Sequence, residues 1–478
     1  MKIVSLFVRI QCPSRVIISS AFTCLVAVCL SVLAATAMAQ TVELDRTLSP
    51  DTPGHAFFGN AFGAHVASDE DWLFVAAARE SVDLDSDGVL ESTVGVVRAY
   101  KRNSKGKIIN PDRPQLLIGD RDELFGMRHG AGIAVSGDYL FVTAGNDRDF
   151  GDLVDPAPDP DFGSFLFAGQ VWVYVKNKGK WEGPVQKLTS DVPTTNWGFG
   201  GRTESRRIAL FEFGRGKQAT VLAAIGEHEN IGKVGTAPKI HIFKLTNGPD
   251  GPFERIQIFG PPLGQSDSFL GDQMIALDDH LLLFSSNVGG GRARAHVYRL
   301  NEDGVLPGPG SQLVPVQTVA LPEQPDPDCM STGAIGGGGG IVVITEPCAG
   351  LGAAFVYDFN PLADEPLTLT QALEPAAVFS PGTFGSMQPF NGEQHVATDG
   401  QLIAIGSSDF GESIEVEELH IYARNGNVFS PVLLVPSPNP LDFSLFGIST
   451  TFIGNGQLAV GQMNLFGVPG AVYIYNIN

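Results

Sequence analysis

The residues of this chain whose spacing best suits chemistry are the acids of a short loop at positions 83–91. The loop reads DLDSDGVLE, with carboxylates at its first, third and fifth positions and Gly88 at its sixth. Such carboxylates can converge on one cation because the glycine permits a sharp turn, and a backbone carbonyl and a further acid can complete the oxygen cage. The pattern predicts a calcium site formed by Asp83, Asp85, Asp87, Val89 and Glu91.

The same loop can also be interpreted as a solvated acidic turn. Val94 stands where an EF-hand carries its bidentate acid, and no flanking helices are evident. Asp-Gly pairs are common at turns, where their carboxylates can simply face water. The sequence leaves both interpretations open.

Two other segments are rich in acids. One contains Asp147, Asp149, Asp152, Asp155, Asp159 and Asp161, and the other contains Asp409, Glu412, Glu415, Glu417 and Glu418. The spacing of the first matches no metal-ligand template, which favours a solvated loop over a metal site. Together with the 83–91 loop, these segments predict a strongly acidic face, with Arg292 and Arg294 as the exceptions.

Signals for catalysis are weak. The chain has no G-x-S-x-G, H-E-x-x-H or phosphate-loop motif, and its run of five glycines at 336–340 is typical of a hairpin turn. His241, His296 and His420 occupy repeated strand positions, which favours a structural role. His65 and His129 could line a central channel, but single histidines near turns are more often structural.

Cys329 and Cys348 are the two cysteines that follow the first 39 residues. The segment between them reads as strand, glycine turn and strand. A turn centred near Gly338 and Gly339 would place the two cysteines opposite one another, within reach of a disulfide. The alternative is a pair of buried free thiols.

The first 39 residues have the composition of a secretory signal peptide. Lys2, Arg9 and Arg15 precede an apolar run that ends in Ala37-Met38-Ala39. The run is also long enough to be a membrane anchor, but no basic stop-transfer cluster follows it. We therefore expect a signal peptide at 1–39 and a single domain at 40–478, in a protein that is secreted, periplasmic or on the cell surface, with no membrane insertion after cleavage.

The charge of the chain limits its partners. The formal charge is −21, and removal of residues 1–39, whose charged residues are all basic, makes it more negative. Nucleic acids and anionic membrane surfaces require basic patches, so such a balance argues against both. It suits an exported protein, which we expect to be a monomer.

A repeated strand pattern must position these residues. Seven apolar strands end in an aromatic residue, at intervals that average about 62 residues. The aromatic residues are Tyr100, Tyr174, Phe243, Tyr298, Tyr357, Tyr422 and Tyr475. Another apolar strand stands before each, usually after a tight-turn pair such as Gly137-Asp138 or Asn455-Gly456. A fourth strand, often with a glutamine, follows. The pattern predicts an all-β, seven-bladed β-propeller of four-stranded antiparallel blades.

The two ends of the domain are expected to meet. Only three residues follow Tyr475, so the last unit lacks a fourth strand, whereas residues 41–44 form a strand without a partner. This N-terminal strand is predicted to fill the last blade, which would close the ring and hide two sheet edges.

Most units open with Phe-Gly, as at Phe62-Gly63, Phe125-Gly126, Phe384-Gly385 and Phe446-Gly447. Followed by an apolar strand, this resembles the FG-GAP repeats of the integrin α-subunit propeller and its bacterial relatives. The resemblance implies adhesion or ligand binding, usually with calcium. However, the Gly-Ala-Pro of the family is missing, and its calcium loops are replaced by tight turns.

The first functional hypothesis is therefore a non-enzymatic exported binding or adhesion propeller, stabilised by calcium, whose partner is an extracellular protein or glycan. The alternative is a polysaccharide lyase or glycoside hydrolase with its site in the central funnel. Fold class alone does not decide between them.

Overall fold

The structure is a computed structural model, and Val42–Asn478 forms one compact unit. The structure describes residues 41–50, 60–83, 90, 94–119, 129–144, 169–190, 199, 207–213, 220–227, 238–262, 270–285, 293–301, 305–306, 313–321, 333–346, 352–375, 395–407, 417–440, 444–464 and 468–478. These residues form strands and turns and contain no helix, hence no helix long and apolar enough to cross a membrane.

The strands are arranged in seven blades, preceded by β1 (Val42–Leu48). Blade 1 contains β2 (Phe62–Ser68), β3 (Trp72–Ala77), β4 (Val96–Lys101) and β5 (Gln115–Leu117). Blade 2 contains β6 (His129–Ser136), β7 (Tyr139–Ala144), β8 (Gln170–Asn177) and β9 (Lys180–Leu188). Blade 3 contains β10 (Ile208–Phe213), β11 (Thr220–Glu227), β12 (Lys239–Leu245) and β13 (Phe253–Phe259). Blade 4 contains β14 (Leu270–Leu277), β15 (His280–Ser285), β16 (Arg294–Arg299) and β17 (Gln317–Ala320).

Blade 5 contains β18 (Ile335–Gly338), β19 (Ile341–Glu346), β20 (Ala353–Phe359) and β21 (Leu367–Leu373). Blade 6 contains β22 (Val396–Thr398), β23 (Leu402–Ser407), β24 (Glu418–Asn425) and β25 (Val428–Pro436). Blade 7 contains β26 (Ser444–Gly454), β27 (Gln457–Asn464) and β28 (Ala471–Ile477).

The predicted propeller is confirmed. Each blade is a four-stranded antiparallel sheet, and the seven first strands contact one another in a closed circle, so they surround the axis of the ring. The seven predicted aromatic residues all lie in the third strands. The closing strand is confirmed as well and is longer than predicted: β1 pairs with β28, from Val42 opposite Ile477 to Leu48 opposite Val472.

The turns follow from residues that accept a positive φ. Asp278 has a φ of 49°, and Asn455 and Gly456 have values of 54° and 70°, in the two-residue turns between first and second strands. The predicted tight turns are therefore confirmed at these positions.

The hydrophobic core is divided into layers between neighbouring blades. The layer between blades 1 and 2, for example, buries Phe74, Leu140 and Trp181. That between blades 7 and 1 buries Leu48, Phe62 and Ile474, and equivalent layers lie at the other five junctions. Burial of apolar side chains on both faces of each sheet is what holds the ring together.

The outer-strand glutamines join successive blades. In five blades the fourth strand carries a glutamine that lies opposite the residue just before the aromatic residue of the third strand. Both ends of its side-chain amide bond to the backbone N–H and C=O of a single residue in the next blade. The pairs are Gln115 with Trp181, Gln186 with Phe253, Gln257 with Leu306, Gln317 with Leu367 and Gln371 with Phe429. Leu433 holds this position in blade 6, opposite Ile421, and Arg46 holds it in blade 7, opposite Ile474.

The strand order separates two faces of the ring. Second strands end, and third strands begin, on the face that we call the loop face; the connections from one blade to the next also reach it. The opposite face, the turn face, carries the short turns between first and second strands and between third and fourth strands. The described ends of long connections, such as Ala144 and Gln170, therefore lie on the loop face.

Candidate functional site

Buried polar residues collect near the loop face. In each blade one residue of the second strand pairs with the aromatic residue of the third strand. In five blades the residue four positions after it, toward the loop face, is polar and at most 2% exposed. The five residues are Glu227, Ser285, Glu346, Ser407 and Gln462, whereas blades 1 and 2 carry Ala77 and Ala144 there. Burying polar groups costs free energy unless they are hydrogen-bonded. This layer is therefore a specific feature of the loop face.

An ion pair supports this face in blade 1. Glu80 follows β3 and bonds through both carboxylate oxygens to the guanidinium of Arg98 in β4. Both residues are buried, and the guanidinium also lies 5.6 Å from the centre of the Phe62 ring. A bidentate geometry satisfies both charges in a place that water does not reach.

A second pair, Glu227 and His241, occupies blade 3. Their Oε2 and Nε2 atoms are 2.7 Å apart, and the edge of the His241 ring meets Phe199. Burial alone raises the pKa of Glu227, but hydrogen bonds from His241 and Ser190 outweigh it, so the pKa lies below its ordinary value. Glu227 therefore carries its charge at neutral pH.

A neutral pair lies in blade 2. The Nε2 atom of His129 is 2.8 Å from the hydroxyl of Tyr174, the aromatic residue of β8. Complete burial lowers the pKa of His129 to about 3, and burial also raises the pKa of Tyr174. Both groups stay uncharged near neutral pH, so the contact is a structural hydrogen bond between two blade strands.

The carboxyl group of Glu417 differs from these pairs. It lies directly before β24, where Oε2 accepts hydrogen bonds from the Ser444 hydroxyl at 2.7 Å and from the Phe446 N–H at 3.2 Å. Burial raises the pKa of Glu417 to about 7, although both hydrogen bonds act to lower it. A carboxyl group with such a pKa can either donate or accept a proton at neutral pH.

The predicted calcium site is mostly outside the described residues. Asp83 is described and half-buried, whereas Asp85, Asp87, Val89 and Glu91 lie outside. Within the described parts of the chain, no group of three or more histidine, cysteine or acidic residues could hold a metal ion. The calcium site therefore stays a prediction.

The other acidic segments are also described only in part. The aspartates from Asp147 to Asp161 lie outside the described residues, as do Asp409, Glu412 and Glu415. Glu417 and Glu418 are half-buried where the third strand of blade 6 begins, which is on the loop face. Arg294 is half-buried at the start of β16, and Arg292 lies outside the described residues.

The hairpin register predicted between the two cysteines is wrong. Gly338 pairs with Ile341, and Ile335 pairs with Ile344, so the turn consists of Gly339 and Gly340. Their φ angles of 58° and 80° place both glycines in the left-handed region, which this two-residue turn requires. The turn centre at Gly338 and Gly339, on which the predicted pairing of Cys329 with Cys348 depends, is therefore shifted by one residue. Both cysteines lie outside the described residues, and a disulfide between them stays a prediction.

The repeated histidines occupy equivalent positions. His241, His296 and His420 each lie two residues before the aromatic residue of a third strand, and each is almost completely buried. Burial lowers the pKa of His420 to about 4. His65 and His129 are buried too. These placements agree with the structural role expected of the strand histidines.

Two features of this face were not predicted from the sequence. The partner of Arg98 was missed, although a single arginine inside the apolar strand VVRAY signals a buried charge that needs a counterion. The raised pKa of Glu417 had no sequence signal, because it depends on Ser444 and Phe446 of the next blade.

Comparison with known proteins adds no family. No protein-family model matches the chain, and no curated protein matches it. The FG-GAP resemblance is therefore not confirmed.

Solved structures with similar folds are distant. A polysaccharide lyase is 10% identical over 91% of this chain and 100% of its own, with a TM-score of 0.46. A mutant Trypanosoma rangeli sialidase with trans-sialidase activity is 10% identical over 90% of this chain and 59% of its own, with a TM-score of 0.39. The β-propeller domain of the Trilobed protease from Pyrococcus furiosus is 9% identical over 70% and 78%, with a TM-score of 0.34. Similarity at this level says nothing about the activity of this chain.

Proposed function

We propose that this chain is an exported binding propeller that holds an extracellular protein or glycan on its loop face. The observation that carries the proposal is the pairing of charged and polar groups beneath that face. Glu80 binds Arg98, Glu227 binds His241, and His129 binds Tyr174. Side chains that bond to one another inside the ring hold the bases of the loops in place, which prepares a binding surface at little cost in entropy.

The acidic loops would give this surface its selectivity. Their carboxylates favour partners with cationic groups or a bound divalent cation. Calcium in the 83–91 loop is part of the proposal and is supported by the spacing of Asp83, Asp85 and Asp87. The FG-GAP resemblance supports an adhesive role of the same kind.

A glycan array and a panel of matrix proteins would test binding. The loop variant replaces Asp152, Asp155 and Asp159 with asparagine. The matched control replaces three acids that are exposed on the turn face, Asp112, Asp364 and Glu365, with asparagine or glutamine. We expect binding to weaken at least about tenfold in the loop variant alone. Absence of any ligand for the parent protein, or equal loss in both variants, would contradict the proposal.

Calcium is tested separately by calorimetric titration of the parent and of Asp85→Ala, with Asp112→Ala as the control. We expect heat of binding in the parent and the control only. A parent protein that binds no calcium would remove the metal from the proposal and leave the binding function to the array.

A second candidate function is polysaccharide cleavage by a lyase or hydrolase. It is favoured by Glu417, because burial raises its pKa to about 7 and its carboxylate lies close enough to Tyr473 to raise the pKa of that phenol beyond the effect of burial. Turnover of an anionic polysaccharide by the parent, lost in Glu417→Gln and kept in the exposed control Glu254→Gln, would establish this activity. Turnover would replace the binding proposal.

A further inference from the structure

Two turns of the turn face share one sequence. Lys105-Gly106-Lys107 lies between β4 and β5, and Lys178-Gly179-Lys180 joins β8 to β9 in the next blade. The glycines have φ angles of 80° and 73°, and all four lysines are exposed. Ile108 lies opposite Arg102, and Trp181 lies opposite Lys176, so Lys107 and Lys180 each come one residue before an equivalent pair. The two turns therefore present the same cations at equivalent positions of successive blades.

These cations form a continuous basic strip, which we define as Arg46, Lys101, Lys105, Lys107, Lys178 and Lys180. A Cβ atom placed on Gly179 would lie 3.7 Å from the Nζ of Lys101, which connects blade 2 to blade 1. Arg46 of blade 7 lines a shallow cleft together with Gly106 and Lys107 of blade 1. The strip thus crosses three neighbouring blades.

The cations of the strip are available to a partner. Within the described residues, none of Arg46, Lys105, Lys107, Lys178 and Lys180 forms a salt bridge. The nearby acids Asp69 and Asp138 lie 3.2 and 3.7 Å from a different cation, Lys176. One acid, Asp45, lines the cleft beside Arg46. Such a concentration of free cations is unusual in a chain with a formal charge of −21.

We propose that the basic strip binds a linear anionic polysaccharide that carries sulfate or carboxylate groups along its length. Lysines act as flexible point charges and suit repeated, loosely spaced anions rather than a single planar group. The cleft beside Arg46 is shallow and open to solvent, so the ligand lies along the surface rather than inside a pocket. Duplex DNA is the competing polyanion, and the test below compares it directly with the polysaccharides.

This surface is on the opposite side of the ring from the proposed loop-face site, and neither depends on the other. The test measures affinity of the full chain for heparin and for polygalacturonate at about 50 and 200 mM salt. Duplex DNA and polyglutamate serve as other polyanions, and dextran is the neutral control. The strip variant changes Lys105, Lys107, Lys178 and Lys180 to glutamine. The matched variant changes Lys187, Lys244 and Arg255, three cations outside the strip, to glutamine.

We expect the parent to bind heparin or polygalacturonate, with affinity that falls as salt rises. The strip variant should lose at least about tenfold in affinity and most of the salt dependence, while the matched variant stays within about threefold. Thermal unfolding of the strip variant should match the parent, since the substituted strip lysines are exposed. The proposal is overturned if the parent binds neither polysaccharide, if both variants weaken equally, or if DNA or polyglutamate binds more tightly.

Discussion

The side-chain amide of Gln186 in blade 2 and the backbone of Phe253 in blade 3 are joined by two hydrogen bonds. The Gln186 Nε2 donates to the Phe253 carbonyl at 2.9 Å, and the Phe253 N–H donates to the Gln186 Oε1 at 2.8 Å. Phe253 itself is buried against Tyr139 and Phe141 of blade 2. The amide thus holds the outer strand of blade 3 in the position in which Phe253 packs against the aromatic residues of blade 2.

Gln186→Leu should destabilise the protein by about 1–3 kcal/mol, because it leaves two backbone groups of Phe253 without these partners. The free energy of unfolding in urea measures the effect. Gln401→Leu, at an exposed turn residue, is the matched control and should cost much less. Equal losses in the two variants would show that the amide does not join the blades.

Closure of the ring depends on Leu48. This residue is 4% exposed and packs in the layer between blades 7 and 1, whereas Leu44 in the same strand is 42% exposed. Leu48→Ala should cost about 2–4 kcal/mol and Leu44→Ala well under 1 kcal/mol. Urea unfolding gives the two values, and hydrogen exchange of β1 should accelerate only in Leu48→Ala. Similar exchange in both variants would argue against anchoring at Leu48.

The ion pair of Glu80 and Arg98 should be costly to break from one side. Glu80→Gln leaves a buried guanidinium without its counterion, for an expected loss of about 3–5 kcal/mol. The double variant Glu80→Leu/Arg98→Met removes both charges and should recover most of that loss. Thermal and urea unfolding of the single and double variants provide the comparison; a double variant less stable than Glu80→Gln would contradict this account.

Glu417 should make stability depend on pH. Its pKa in the folded protein is raised to about 7 from an ordinary value of 4.5, so the folded state holds a proton that the unfolded state releases between these values. The resulting stabilisation is full below the lower pKa and is lost as pH rises through the upper one. The difference in unfolding free energy between the parent and Glu417→Gln should therefore change from about pH 4.5 to 7 and stay constant outside that range.

The matched control for this titration is Glu254→Gln, an exposed carboxylate on an outer strand. Its difference from the parent should show no such change. Because histidines such as His129 titrate in both the parent and the variant, their contribution cancels in the difference. A flat profile for Glu417→Gln would contradict the raised pKa.

Much of the fold could be predicted because it depends on local patterns. Three local features predict the strands and turns: strand alternation, aromatic strand ends and turn residues such as Asn455-Gly456. Each depends on only a few neighbouring residues, so it can be recognised in the sequence. The glutamines were visible as a recurring feature of the fourth strands, but their partners were not. Gln186 and Phe253 are 67 residues apart, and only the placement of one blade beside the next brings them together.

The sequence by itself determined the number of blades, the tight turns and the closing role of the N-terminal strand. The first two follow from residue periodicity and turn residues. The third follows because the last unit lacks a fourth strand and the N-terminal strand lacks a partner. The tertiary structure decided the register of the Gly339-Gly340 hairpin, the counterion of Arg98 and the environment of Glu417. It also decided that two Lys-Gly-Lys turns, far apart in the chain, lie side by side on one face. These properties depend on distances between blades and on exclusion of water, which are set only when the ring closes.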